Sequence, residues 1–561
     1  MGVRTGLVML MLAGCASTPA ATRPVTPEHA EHAGHAQWSL HSLARGATLL
    51  GNLGAVHRTV TTRSPEAQQF FDQGLALTYG FNHDEAARSF ARAAELDPTC
   101  ALCFWGAAYT LGPNYNIPML PERAQAAWEA VQAAQKNAPG ASAIEQALIA
   151  ALAKRHTGPT YVEPPAMQPF NEAFAQAMSD VARRFSDDND VRTFAAEALM
   201  NVNPWKLWTP AGEPAAGTLE IVAHLEAVLA RDPQHAGANH YYIHAIEASK
   251  QPEKALPSAD RLPQLVPGAG HLVHMPAHIY QRVGRYADAS RANLAAVQAD
   301  EAYLAKVKPP GYYPMYTAHN HGFLAYSASM QGRSEASLAA ARHSASTMPR
   351  DLVCGMPGMD FFVSEPLLVL VRFGRWDDVL KEPAPDPKYQ VLVALHQHAR
   401  GMALAATGKT DDARAAARAI RNIQATLPDD LLAGLNAGRM VLDLAATVVE
   451  ARIAEATRAP DAVALWKAAV ALEDQLAYNE PADWFYPTRH YLGALLLDRG
   501  NANEAEAVYR EDLARNPDNG WALFGLAKAL GAQHKPTQRE TEQAFDRAWK
   551  DADVKLTRSA F

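Results

Sequence analysis

Between Pro65 and Pro98 the chain sets a small residue at Gly74, then Ala86, Phe90 and Ala93 at successive turns, and closes on Asp97-Pro98. A small residue lets two helices approach, alanine and phenylalanine fill the space between them, and proline stops the second helix. With Pro98 as position 32 of a 34-residue unit, Ala67 is position 1 and Gly74 is position 8. The same ruler fits units starting at Ala101, Ala236, Gly270, Ala318, Asp360, Ala394, Tyr486 and Gly520. Its clearest marks are Gly493, Gly500, Ala505, Tyr509 and Pro517, and then Ala277, Gly284, Tyr286, Ala289 and Ala296. From 270 to 318 the step is 48, which places an insertion around Pro309-Pro-Gly-Tyr-Tyr-Pro314. Such units bury their apolar faces only against neighbours, which predicts a long helical array without metal or disulfide staples.

This spacing resembles the tetratricopeptide repeat, a helix–turn–helix of 34 residues. The resemblance implies an all-α fold, an α-solenoid over residues 65–553, with irregular units near 140–220 and 430–475 and a short tail at 554–561. Phe81-Asn-His-Asp-Glu85, Asn239-His-Tyr-Tyr-Ile-His-Ala-Ile-Glu247, His271-Leu-Val-His-Met-Pro-Ala-His-Ile-Tyr280, His319-Asn-His321 and Asn519-Gly-Trp-Ala-Leu-Phe-Gly525 are similar to stretches of bacterial tetratricopeptide lipoproteins with a His-rich groove. That similarity implies a fold and no reaction. In this repeat family positions 2, 5, 9 and 12 of the first helix line a concave groove.

Histidine is concentrated where those positions fall. Eight of the 21 histidines lie within 235–321. His240, His244 and Glu247 occupy positions 5, 9 and 12 of the unit from Ala236; His271, His274 and His278 occupy 2, 5 and 9 of the next; His319 is at position 2 of the unit from Ala318. Steps of three and four put them on one helix face. Neighbouring helix axes lie ~8–10 Å apart, a gap that facing imidazoles can close, and their nitrogens suit Zn, Cu, Fe or Ni. The expected ligand set is therefore His240, His244, Glu247, His271, His274, His278 and His319. His398 and His490, each at position 5 of its unit, are further groove candidates. His-Glu-x-x-His is absent, and no catalytic residue is assigned.

The amino terminus reads as an address. Arg4 precedes a short apolar run that ends in Leu12-Ala13-Gly14-Cys15. The run is too short to span a bilayer and reads as a signal sequence over residues 1–14. Its end resembles the bacterial lipobox, which implies lipid attachment at Cys15 and, with Ala16 following, an outer-membrane address facing the periplasm. Residues 15–64 are assigned to a tether. Within it His29, His32 and His35 form either a metal-capturing tract or a polar linker. Cys100-Ala-Leu-Cys103 opens a helix, as a local disulfide or as a redox pair.

A net charge of -8 argues against a nucleic-acid binder, which needs a basic face to displace counterions. Two expectations remain. One is a lipid-anchored periplasmic scaffold whose groove binds a divalent transition metal, holds a protein or peptide partner, or does both; the lipid is its only membrane contact. The other is a metal-dependent hydrolase or oxidoreductase using the His/Glu cluster, with Glu247 its one evident carboxylate.

Overall fold

A computed structural model describes residues 38–307 and 312–561. Helices make up most of the described chain, and strand pairing within it is confined to one antiparallel ribbon, Leu432–Ala433 with Asn436–Ala437, and a single bridge between Trp208 and Pro214. No helix among these residues is long and apolar enough to cross a membrane. The residues form two compact units, one of 38–279 with 295–313 and one of 280–294 with 314–561.

In each unit consecutive helices pair antiparallel, the α-solenoid of tetratricopeptide-like hairpins that the period predicts. The first unit opens with Pro65–Tyr79 and His83–Leu96 and continues with Ala101–Leu111 and Ala124–Asn137. The second holds Gln390–Ala406 with Thr410–Thr426, Thr488–Asp498 with Ala502–Arg515, and Gly520–Ala532 with Gln538–Ala548. Local chemistry sets the starts. Ser64 accepts from the amide of Ala67 with Pro65 in the first turn, and Asn82 accepts from the amide of Glu85.

The turns share one backbone state. Position 15 of the units from 67, 270, 318, 360, 394, 486 and 520 is Phe81, Gly284, Gly332, Gly374, Gly408, Gly500 and His534, and every one has a left-handed φ. Glycine enters that region freely, whereas a side chain there costs roughly 1–2 kcal/mol. Phe81, at φ 52°, is therefore strained where most of the repeats have glycine.

Packing repeats as well. Phe90 lies between Gly74 and Gly106, and Tyr509 between Gly493 and Gly525, with the same sequence steps. A ring occupies the space a side chain would need at either glycine.

Residues 38–64 differ from the tether the sequence suggests. Helix Leu40–Arg45, started by Ser39, packs on His83–Leu96, burying Trp38, Leu43 and Ala44 beside Ala87 and Ala91. Gln73 pins the segment that follows: its Nε2 donates to the carbonyl of Thr48 and its Oε1 accepts from the amide of Leu50, both at 2.8 Å. Arg58 then pairs with Asp188 and Asp190, and Glu145 accepts from the backbone of Thr61. Several polar groups of this stretch meet specific partners on the first unit, while many of its residues stay exposed.

A β-carbon on Gly106 would stand 2.5 Å from the Phe90 ring. Gly106→Ala should cost about 1–3 kcal/mol by overpacking, read as a lower urea midpoint with unchanged slope.

Candidate metal centre

Helix Ala236–Ile246 begins where the side chain of His235 accepts from the amide of Ala238, and Glu247 closes its end. This places His240 and His244 one turn apart and Glu247 just beyond them. Gly270–His274 carries His271 and His274, and Pro276–Arg282, begun by a proline that has no amide to donate, carries His278. All six side chains belong to the first unit and are at most 4% exposed, so they form part of its interior and not the wall of an open groove.

Within that interior one nitrogen each of His240, His244 and His271 lies within 4.8 Å of the other two. Nε2 of His240 is 3.1 Å from Nε2 of His271. Their other nitrogens explain the orientation. Nδ1 of His240 faces the carbonyl of Tyr79 at 2.6 Å, and Nδ1 of His244 faces Oε1 of Glu247 at 3.1 Å. Carbonyl and carboxylate oxygens only accept, so each Nδ1 carries the proton and each Nε2 keeps its lone pair. Nε2 of His244 has no hydrogen-bond partner among the described residues.

Electrostatics keeps these rings neutral. Burial, reinforced by the neighbouring imidazoles, holds His240 and His271 well below the usual histidine range, and burial lowers His244 despite Glu247 beside it. Burial opposes ionisation of Glu247, but electrostatic attraction to His244 and His278, with hydrogen bonding second, outweighs it and holds the carboxyl below the usual carboxylate range. Nδ1 of His278 stands 2.7 Å from Oε2 of Glu247, and Nε2 of His278 stands 2.9 Å from Nε2 of His274.

Aromatic rings enclose the triad. Phe81 lies 4.6 Å from His240, 5.9 Å from His244 and 5.8 Å from His271, centre to centre. Tyr115 lies 5.1 Å from His244, and Trp205, stacked on Tyr115, lies 5.8 Å from it. Periodicity points to none of these rings: Phe81 enters the sequence analysis only within the stretch Phe81-Asn-His-Asp-Glu85, and Tyr115 and Trp205 fall outside the repeat marks. The one sequence signal for Phe81 is a bulky residue where the repeat has glycine.

His319 sits on Tyr313–Met330 in the second unit, its ring 5.0 Å from Phe323. His398 and His490 do not line a groove. They are buried in the second unit with both nitrogens engaged, His398 by the carbonyl of Ala445 and the Tyr486 hydroxyl, His490 by Arg372 and Asp512. Cys100 and Cys103 are joined in a disulfide and fully buried at the start of Ala101–Leu111. Cys15, His29, His32 and His35 lie outside the described residues.

No family model matches this sequence, and no curated protein matches it. Among solved structures the chain is similar to a human IFIT1 dimer with m7Gppp-AAAA, at 12% identity and TM-score 0.32, over 95% of this chain and 96% of that one. It is also similar to the P58(IPK) TPR domain, at 11% identity and TM-score 0.21, over 83% of this chain and 98% of that one. A third likeness is to Naa15/Naa10 bound to HypK-THB, at 13% identity and TM-score 0.22, over 87% and 74%. At such scores these likenesses carry no functional weight, and the fold rests on the hairpins themselves.

Burial lowers His398 from 6.5 to about 4. Between those values the unfolded chain binds a proton that the folded chain refuses, so stability falls as pH drops below 6.5. From pH 7 to pH 5 this group should remove about 2 kcal/mol, and His398→Gln should remove that share of the acid sensitivity in urea titrations.

Proposed function

We propose that the protein is a tethered helical-repeat scaffold whose first unit binds a divalent transition metal through His240, His244 and His271. The observation that carries this reading is the convergence of three buried imidazoles, two of which have Nδ1 committed to an acceptor. Two nitrogens 3.1 Å apart, each ~2.0–2.1 Å from an ion, subtend about 100° at it, close to a tetrahedral angle. Neutral rings need no deprotonation before they bind, and oriented outer-shell acceptors strengthen such ligands. Zn, Cu, Fe and Ni all suit this donor set.

Binding, in structure or storage, is favoured over catalysis. Both oxygens of Glu247 face imidazole nitrogens, so the carboxylate that a hydrolytic mechanism would use as base is already engaged. Burial of the whole triad also keeps substrate away. A metal-dependent hydrolase or oxidoreductase is the second reading, and it requires the enclosing rings of Tyr115 and Trp205 to move. The hairpins would hold a periplasmic protein or peptide partner, with lipidated Cys15 anchoring the chain to the outer membrane. RNA recognition is not carried over from the capped RNA named with IFIT1.

Purified protein should contain bound metal, and Zn2+ at a hundredfold excess over its dissociation constant should stabilise it by about 2.7 kcal/mol. His240→Ala with His271→Ala should abolish that thermal shift. Metal-free protein whose melting temperature ignores Zn2+, Cu2+, Fe2+ and Ni2+ alike would sink the reading. Separately, Cys15→Ser should release the chain from the membrane fraction; an unchanged distribution would remove the anchor.

A further inference from the structure

The carboxylate at the centre of this cluster serves two imidazoles, not one. Oε1 of Glu247 faces Nδ1 of His244 at 3.1 Å and Oε2 faces Nδ1 of His278 at 2.7 Å. Because a carboxylate only accepts, His244 holds its proton on Nδ1 and presents an Nε2 lone pair directed away from it, and the 2.7 Å approach of Oε2 to Nδ1 favours the same tautomer for His278. For His244 that lone pair belongs with His240 and His271. For His278 it meets Nε2 of His274 at 2.9 Å, on a residue four positions earlier.

Resting on the metal reading above, we propose that the first unit holds two divalent transition-metal ions, the second on Nε2 of His274 and His278, and that Glu247 orients one ligand of each. The nitrogens group accordingly: His244 falls with His240 and His271, all within 4.8 Å of one another, and His278 falls outside that set. At 2.9 Å apart, His274 and His278 would subtend about 90° at an ion ~2.0–2.1 Å away, a cis pair. Both rings are at most 1% exposed, so the position is built into the fold and not gathered at a surface. The pair shares the softness of the triad and selects the same class of metal.

The test is Zn2+ stoichiometry and affinity by calorimetry, on the full chain carrying His29→Ala, His32→Ala and His35→Ala so that the tether adds no sites. Two equivalents are expected. His274→Gln with His278→Gln should leave one, and His240→Gln with His271→Gln should also leave one. Glu247→Gln should keep two equivalents but weaken both, each by ~10–100-fold, the usual loss for an outer-shell partner. One equivalent that survives the first pair of substitutions and is lost with the second overturns the second ion and leaves the triad standing. One equivalent lost with either pair means a single shared ion and overturns the proposal too, as does a Glu247→Gln variant in which only one affinity falls. No binding at all overturns the metal reading itself. If a variant fails to fold by circular dichroism, the unsubstituted pair of sites decides: Cu2+-loaded protein should show the half-field resonance of two neighbouring ions, and its absence at saturation rejects the pair.

Discussion

A ring seated between two glycines spaces successive hairpins at one place in each unit. Phe90, on the second helix of its hairpin, fills the space above Gly74 on the first helix and Gly106 on the next. Tyr509 does the same between Gly493 and Gly525. Close approach of the backbones and a single large ring give dense packing without a sheet or a long-range staple, and each hairpin transmits its position to the next. The histidine helices inherit this register. Gly237 approaches the ring of Tyr79 closely, so helix Ala236–Ile246 is brought against the first hairpin. His240 thereby reaches the Tyr79 carbonyl.

Holding five imidazoles and a carboxylate inside a helical core would be ruinous if the rings were charged. It is tolerable because they are neutral, and because their Nδ1 atoms face acceptors where those are available. Glu247 is the only formal charge among the six, and imidazole nitrogens of His244 and His278 stand 3.1 Å and 2.7 Å from its two oxygens. Phe81 adds a second expense, a left-handed backbone with a bulky side chain. Its ring lies on three of the imidazoles, so the strain buys an apolar lid for the cluster. Gly in its place would relax the turn and open the site.

The period was legible because it is a spacing rule. Gly74, Phe90 and Pro98 need no knowledge of partners far along the chain, and the hairpins begin and end close to where that ruler puts them. The face shared by His240, His244, His271, His274 and His278 was legible for the same reason. What covers that face was not. Tyr115 and Trp205 come from irregular segments between helices, where no period operates, and Trp205 reaches His244 from a left-handed backbone position. The stretch at 38–64 was misread because its polar residues look like a linker until Gln73, Asp188, Asp190 and Glu145 are seen to receive them.

Repeat position alone does not separate a ligand from a core histidine. His240, His274, His398 and His490 all stand at position 5, and all four are buried. The distinction lies in the second nitrogen. His398 has one nitrogen on the Ala445 carbonyl and the other 2.5 Å from the Tyr486 hydroxyl, so no lone pair is left for an ion. His490 is likewise taken up by Asp512 at 2.9 Å and Arg372 at 3.3 Å, and a cation could not approach beside a guanidinium. His240 commits only Nδ1 to oxygen, and its Nε2 meets another imidazole. Nitrogen facing nitrogen is a poor arrangement for two neutral rings unless a proton or a metal ion lies between them. At His398 and His490, oxygen and guanidinium partners close that possibility; at His240 the repeat sets histidine opposite histidine and keeps it open.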